Sequence, residues 1–219
     1  MLQKFIILSA LLSLTACTLP GASPSGDTSL TPKTQATIAS PTQWTGKHQL
    51  TIFADFQCPA CIAFSKAIGP IFEGYADAGY LQITYKQFPL QMHKNAERDA
   101  IAALCAAEQG NYIPYKKALY AMEDAKSGAK VSDEDRVNAG KDILDTTKLG
   151  ECLAADRYLD QVRAEVKEGE VMGVNGTPTV FLDGKKLDNK VFSNLDAMKN
   201  IMNRWLEVPE TATASGTAQ

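Results

Sequence analysis

Residues 53–70 read FADFQCPACIAFSKAIGP, and the two cysteines in this stretch, Cys58 and Cys61, stand where one pattern gives way to another. Upstream, LTIFADF (50–56) alternates loosely and is rich in β-forming residues, which predicts a strand. Downstream, CIAFSKAIGPIFEGYADAG (61–79) carries apolar residues at Ile62, Phe64, Ile68, Ile71, Phe72 and Tyr75. That spacing predicts a helix, kinked near its middle by Pro70 and closed by Gly79. LQITYKQFPL (81–90) follows as a second strand, so the unit is βαβ, with parallel strands and a right-handed crossover.

A cysteine pair at this spacing has several uses. A structural zinc needs four nitrogen or sulfur ligands, usually from two close pairs. Here the chain has two histidines, His48 and His93, and its other body cysteines, Cys105 and Cys152, are far apart in sequence, so no metal is expected. Haem attachment requires a histidine after the second cysteine, and residue 62 is Ile62. A staple closing so short a loop would constrain little of the unfolded chain. Position offers a better reason. Cys58 sits at the strand-to-helix junction, facing the unpaired amides and positive dipole end of the new helix, which favour thiolate over thiol. Pro59 suits the first helical position and Ala60 completes the dipeptide between the cysteines. Cys61, about one turn on, lies deeper and can attack a mixed disulfide formed on Cys58. Cys58 and Cys61 are therefore the candidate catalytic pair.

The amino terminus sets the compartment. Lys4 precedes the apolar run FIILSALLSL (5–14), too short to span about 30 Å of hydrocarbon, and a small-residue site follows it. This predicts an export signal over residues 1–16. Leu14, Thr15, Ala16 and Cys17 resemble the lipobox of bacterial lipoproteins, which implies a lipid on Cys17; the alternative is an ordinary secretory signal with a cysteine nearby. Residues 17–47, rich in Ser, Thr, Pro and Gly, predict a flexible linker. A net charge of −3 and the lack of any run of Lys or Arg argue against nucleic acid as a partner.

Of five cysteines, setting Cys17 aside leaves four, which allow three pairings. Cys58 with Cys61 and Cys105 with Cys152 is favoured, because the first two are too close to avoid each other. Cys105 lies in IAALCAAEQG (101–110) and Cys152 in LGECLAAD (149–156), both within a region, about 93–172, that reads as helical almost throughout. In it Gly110 ends one segment, Pro114 falls in the first turn of the next, and Ser132 with the acids behind it caps a third. The distal pair is either a structural disulfide or two buried thiols. GVNGTPTVFLDGKKLD (173–188) then reads as a Gly-rich loop, a strand and an Asp-Gly hairpin. FSNLDAMKNIMNRWLE (192–207) closes as a helix with apolar positions at Leu195, Met198, Met202 and Trp205, and the polar tail 207–219 is expected to be disordered.

FADFQCPAC, the helical insertion and VNGTPTVFLDG together resemble the DsbA-like type of the thioredoxin superfamily. The resemblance covers 48–206 and implies an α/β thioredoxin fold, a central mixed β-sheet flanked by helices, with an inserted α-helical subdomain. It implies a cis-proline loop in which Pro178 lies beside the dithiol and Thr177 offers backbone groups to an extended substrate. On base rates alone, Thr177-Pro178 would be an ordinary trans bond. The Pro-Ala dipeptide departs from the Pro-His of the type oxidase and the Gly-Pro of thioredoxin. Ala60 supplies no charge to the thiolate, so an oxidant of intermediate strength is expected.

Asp55 either opposes the thiolate or is a solvated acid at the strand end. His93 is expected as an exposed residue at a helix start, Lys86 has no identifiable partner, and Phe56, Phe64, Phe88 and Trp205 read as core or groove walls. The resulting expectation is an extracytoplasmic, lipid-anchored thiol-disulfide oxidoreductase, monomeric and without cofactor. Its partners are reduced or misfolded exported proteins, a membrane thiol oxidase or reductase, and a bilayer through Cys17. An isomerase or reductase, or a binding module without catalysis, remain the alternatives.

Overall fold

The computed structural model of the protein describes residues 37–42 and 44–209. The expected signal, Cys17 and most of the expected tail lie outside the described residues. Alternation of burial defines the first two strands. In β1 (His48–Ala54) Leu50, Ile52 and Phe53 are buried, and in β2 (Leu81–Gln87) every second side chain from Leu81 to Gln87 is. The two pair in parallel, with His48 opposite Leu81 and Ala54 opposite Gln87. β3 (Thr179–Leu182) runs antiparallel to β1, and β4 (Lys185–Lys186) returns against β3, giving the order β2-β1-β3-β4. All four side chains of β3 are buried, as expected where both faces of a sheet are covered.

Between β1 and β2 the chain forms two helices, α1 (Pro59–Ala67) and α2 (Gly69–Asp77), which meet at Ile68. The expected kink is thus a full break. Pro70 has no N–H to continue the helical ladder, and α2 restarts with Phe72 N–H donating to Ile68 O at 3.2 Å. Five helices follow, α3 (Ala96–Glu108), α4 (Tyr112–Lys126), α5 (Asp133–Ala139), α6 (Thr146–Ala154) and α7 (Leu159–Val171), before β3 begins. Ser132 caps α5, its hydroxyl accepting from Asp135 N–H while the Asp135 carboxylate accepts from Ser132 N–H. Cys105 on α3 is bonded to Cys152 on α6, with Cα atoms 6.0 Å apart, so the distal pair is a disulfide. After the hairpin, α8 (Leu195–Trp205) turns Met198 and Met202 into the core.

The main core gathers Leu50, Ile52, Ile83, Phe72 and Val180 of the sheet and α2 with Leu104, Tyr115 and Leu119 of the insertion. On the opposite face of the sheet Phe53, Phe88, Val174 and Phe181 form a smaller cluster under α7. Contact there is close. A Cβ built at Gly169 of α7 would lie 2.7 Å from the Phe88 ring and 3.0 Å from that of Phe53, so only glycine fits.

The last residues of the expected linker do not hang free. Ile38 N–H donates to Gln161 Oε1 at 2.9 Å, Tyr85 N–H donates to Pro41 O at 3.2 Å, and Trp44 Nε1–H donates to Asp77 Oδ1 at 2.6 Å. Thr42 bridges to Thr84, so this segment covers the otherwise unpaired edge of β2. Composition alone marked these residues as a tether; the open sheet edge is what holds them. Lys86 likewise has a partner, Glu168 Oε2 at 2.9 Å on α7, 82 residues further along the chain and so invisible to any local pattern.

Candidate active site

Cys58 occupies the N-cap of α1 in an extended conformation, φ −72° and ψ 119°, and Pro59 begins the helix. Cys58 and Cys61 are both free thiols, 7% and 1% exposed. The pair is asymmetric in charge as well as position. The Cys58 thiol is drawn down from 9.0 to about 5, first by the Cys61 thiol donating to its sulfur, then by the Thr177 side chain and the backbone amides of Cys61 and Ala60, against the opposing effect of burial. Cys61 moves the other way. Burial holds its thiol well above the ordinary range, and donation to an anionic Cys58 reinforces this. The amides at the helix start therefore contribute as the sequence suggests, but the Cys61 thiol contributes more.

The Thr177-Pro178 peptide bond is cis, and the loop it belongs to sits over the dithiol. Thr177 O lies 3.4 Å from Cys58 Sγ, close enough to accept a hydrogen bond from the protonated thiol. Beside the pair an open groove of about 370 Å³ is lined by Ala60, Ala63, Phe64, Pro178, Asn189 and Phe192, among others. Its walls are mostly apolar, and Phe64 and Phe192 meet edge to face at 5.2 Å.

Asp55 is not the solvated acid considered from sequence. Its side chain is fully buried and accepts four hydrogen bonds: Oδ1 from the N–H groups of Gln57 at 2.7 Å and Cys58 at 3.1 Å, Oδ2 from Leu90 N–H at 2.8 Å and from the His93 ring at 2.7 Å. The carboxylate is directed at amides and not at the Cys58 sulfur. His93 is correspondingly half-buried, not an exposed helix start. Gln57 extends the arrangement, its Oε1 accepting from Asn95 N–H at 3.0 Å. The signal for Asp55 was present in the sequence: an Asp two and three residues before amides that begin a helix is an Asx-turn pattern. Nothing local announces His93, which arrives from beyond β2. Among the described residues no group of three His, Cys, Asp or Glu is placed to hold a metal ion, and no helix is long and apolar enough to cross a membrane.

Comparison with known proteins places this geometry. The family model described as Thioredoxin matches residues 44–202. Among curated proteins, the chain is 30% identical over 136 residues to Na(+)/H(+) antiporter NhaA 3 of Salinispora tropica, covering 61% of this chain and 20% of that protein. It is 31% identical over 140 residues to Na(+)/H(+) antiporter NhaA 1 of Mycobacterium sp. strain KMS, covering 63% and 22%. The chain thus spans about a fifth of the length of these relatives. Among solved structures, oxidised BdbD from Bacillus subtilis superposes with a TM-score of 0.67 at 19% identity, over 77% of this chain and 93% of that one. DsbA from Chlamydia trachomatis gives 0.67 at 18%, over 81% and 96%. The reduced disulfide bond oxidoreductase DsbG from Mycobacterium tuberculosis gives 0.65 at 21%, over 83% and 90%. At these identities the structural likeness is one of fold.

Proposed function

Because the chain belongs to the thioredoxin family, matched over residues 44–202, we propose that it is a thiol-disulfide oxidoreductase that exchanges a Cys58–Cys61 disulfide with protein thiols. One observation carries this reading: Cys58 stands at the start of α1 with its thiol drawn down to about 5, while Cys61, one turn deeper, is held protonated by burial. An anionic outer sulfur leaves readily and attacks readily, whereas a buried protonated one waits until a mixed disulfide is presented to it.

In the oxidising direction a substrate thiolate bonds to Cys58 Sγ, the Cys58–Cys61 bond breaks, and its electron pair passes to Cys61 Sγ, which takes up a proton. A second substrate thiolate then attacks the first substrate sulfur and expels Cys58 as thiolate. The substrate loses two electrons and the protein dithiol gains them. The apolar groove beside Cys58 suits an unfolded or extended segment of the substrate, and no cofactor enters the exchange. The lowered Cys58 value stabilises the reduced protein, which makes the disulfide a better oxidant and favours an oxidase over a reductase.

The apolar leader over residues 5–14 and the resemblance of residues 14–17 to a lipobox support work outside the cytoplasm. That reading gives an anchor in a bacterial membrane, reduced exported proteins as substrates, and a membrane thiol oxidase as the partner that restores the disulfide. The names of solved relatives, disulfide oxidoreductases among them, lend support. Equilibration with glutathione tests the direction: a potential between about −180 and −120 mV is expected for an oxidase. A value near the −270 mV typical of thioredoxin would make it a reductase. Cys58→Ala should abolish dithiol oxidation, and a parent protein without exchange activity would leave only a binding module.

A further inference from the structure

Lys116, on α4 of the helical insertion, is 3% exposed, although a lysine ordinarily keeps its ammonium in water. Its Nζ donates to the Tyr85 hydroxyl at 2.9 Å and lies 4.0 Å from the centroid of the same ring. Among the described residues its one carboxylate neighbour, Glu73 Oε1, is 3.4 Å away, while Lys117 holds the other oxygen of Glu73 at 2.7 Å. The charge on Lys116 is therefore only partly compensated. Burial draws its ammonium down from 10.5 to about 8, with Glu73 opposing.

Lys116 and Cys61 line the same small cavity. Ser65, Tyr85, Tyr120 and Pro178 share in its wall, and its volume of about 10 Å³ admits the centre of one water. This juxtaposition meets a need of the exchange reaction. Cys61 must lose a proton to attack and regain one when it leaves, yet it is 1% exposed and out of reach of a base in bulk solvent.

We propose that Lys116, acting across this cavity, takes the proton from Cys61 when that sulfur attacks a mixed disulfide and returns it when the Cys58–Cys61 bond is opened. The proposal rests on the reading of Cys58 and Cys61 as an exchanging pair. With oxidised glutathione the steps balance as follows. The Cys58 thiolate bonds to one glutathione sulfur and expels the other as thiolate. The Cys61 proton passes to the neutral amine of Lys116, Cys61 Sγ bonds to Cys58 Sγ, and the second glutathione leaves as thiolate. The protein dithiol is oxidised, glutathione disulfide is reduced, and the Lys116 ammonium gives its proton to solvent.

The groups around Lys116 come from every element packed on it: Cys61 of α1, Glu73 of α2, Tyr85 of β2, and Tyr112, Lys117 and Tyr120 of α4 itself. Burial pushes the three tyrosines up, Cys61 is also raised, and Cys58 is drawn down to about 5. An inflection near 8 in the resolving step therefore belongs to Lys116.

The test uses the reduced full chain and oxidised glutathione, with acid quenching and mass spectrometry to follow formation and decay of the Cys58 mixed disulfide between pH 6 and 9.5. In the unaltered protein the decay rate should climb with pH and level above about 8. Lys116→Met should slow decay about a hundredfold at pH 8, the low end of general acid–base contributions, and remove the plateau. Formation of the mixed disulfide should change less than about twofold, since Glu73 keeps Lys117 and Cys58 is untouched. Lys116→Gln serves if the first variant does not fold. A decay profile without inflection in the unaltered protein, or one that survives either substitution, overturns the proposal while leaving exchange at Cys58 intact. Failure of Cys58 to form the mixed disulfide at all overturns both readings.

Discussion

At Cys58 the charge is held first by the Cys61 thiol and only then by Thr177 and the amides of Ala60 and Cys61. Cys61→Ala should therefore raise the pH at which iodoacetamide alkylates Cys58 at half its limiting rate, from about 5 toward 9. A shift of at least one unit is expected; an unchanged midpoint would assign the effect to the helix start alone. The same shift couples to stability. Its sign follows from a folded value below the unfolded one: the stabilisation of the reduced protein is complete above pH 9, shrinks as pH falls, and is gone below about 5. Urea unfolding should accordingly find the reduced form gaining on the Cys58–Cys61 oxidised form between pH 4 and 8, and a constant gap would contradict a depressed Cys58. Asp55 belongs to this scale too, since its four hydrogen bonds fix the turn that presents Cys58 N–H to the carboxylate and its sulfur to the groove.

Among the elements, α1 positions the dithiol and α7 closes the far face of the sheet. The break at Ile68 frees α2 to turn Phe72 into the core and Glu73 toward Lys116 and Lys117. On α7 the approach to the sheet is limited by Gly169, whose missing side chain admits the rings of Phe88 and Phe53. Gly169→Ala improves helix propensity by up to about 1 kcal/mol. It also places a methyl 2.7 Å from an aromatic ring. The clash should prevail, with a net loss of about 1–3 kcal/mol in chemical denaturation. A stabilised variant would mean that α7 can slide along the sheet.

Across the whole molecule, the insertion is tied to the site it overlies. Asn95 bonds Gln57, the Tyr120 ring stacks near Phe56 at 4.8 Å, and Lys116 shares the cavity behind Cys61. The Cys105–Cys152 disulfide holds α3 to α6 across a separation of 47 residues. Closing such a loop is worth about 4 kcal/mol in the chain-entropy model. Replacing both cysteines by Ala should cost about 2–4 kcal/mol of unfolding free energy, while alkylation of Cys58 in the folded state keeps its midpoint. Loss of that midpoint at temperatures where the variant is folded would show that the disulfide also shapes the site.

Local chemistry determined a good deal by itself. The alternation of 50–56, the helical spacing after Cys61 and the two-residue gap between the cysteines are readable because each depends on neighbours within one turn or one strand. The family resemblance rested on the same short stretches, with TPT at 177–179 adding the loop that returns to them. What tertiary structure alone decided is which distant residues complete the site. His93 from beyond β2 reaches Asp55, and Lys116 of α4, paired with Glu73 of α2, shares the cavity behind Cys61, each from a separate element. The burial that raises Cys61 and lowers Lys116 exists only once those elements have excluded water. Sequence spacing carries the identity of a reacting group; the electrostatics that set its proton are a property of the packed whole.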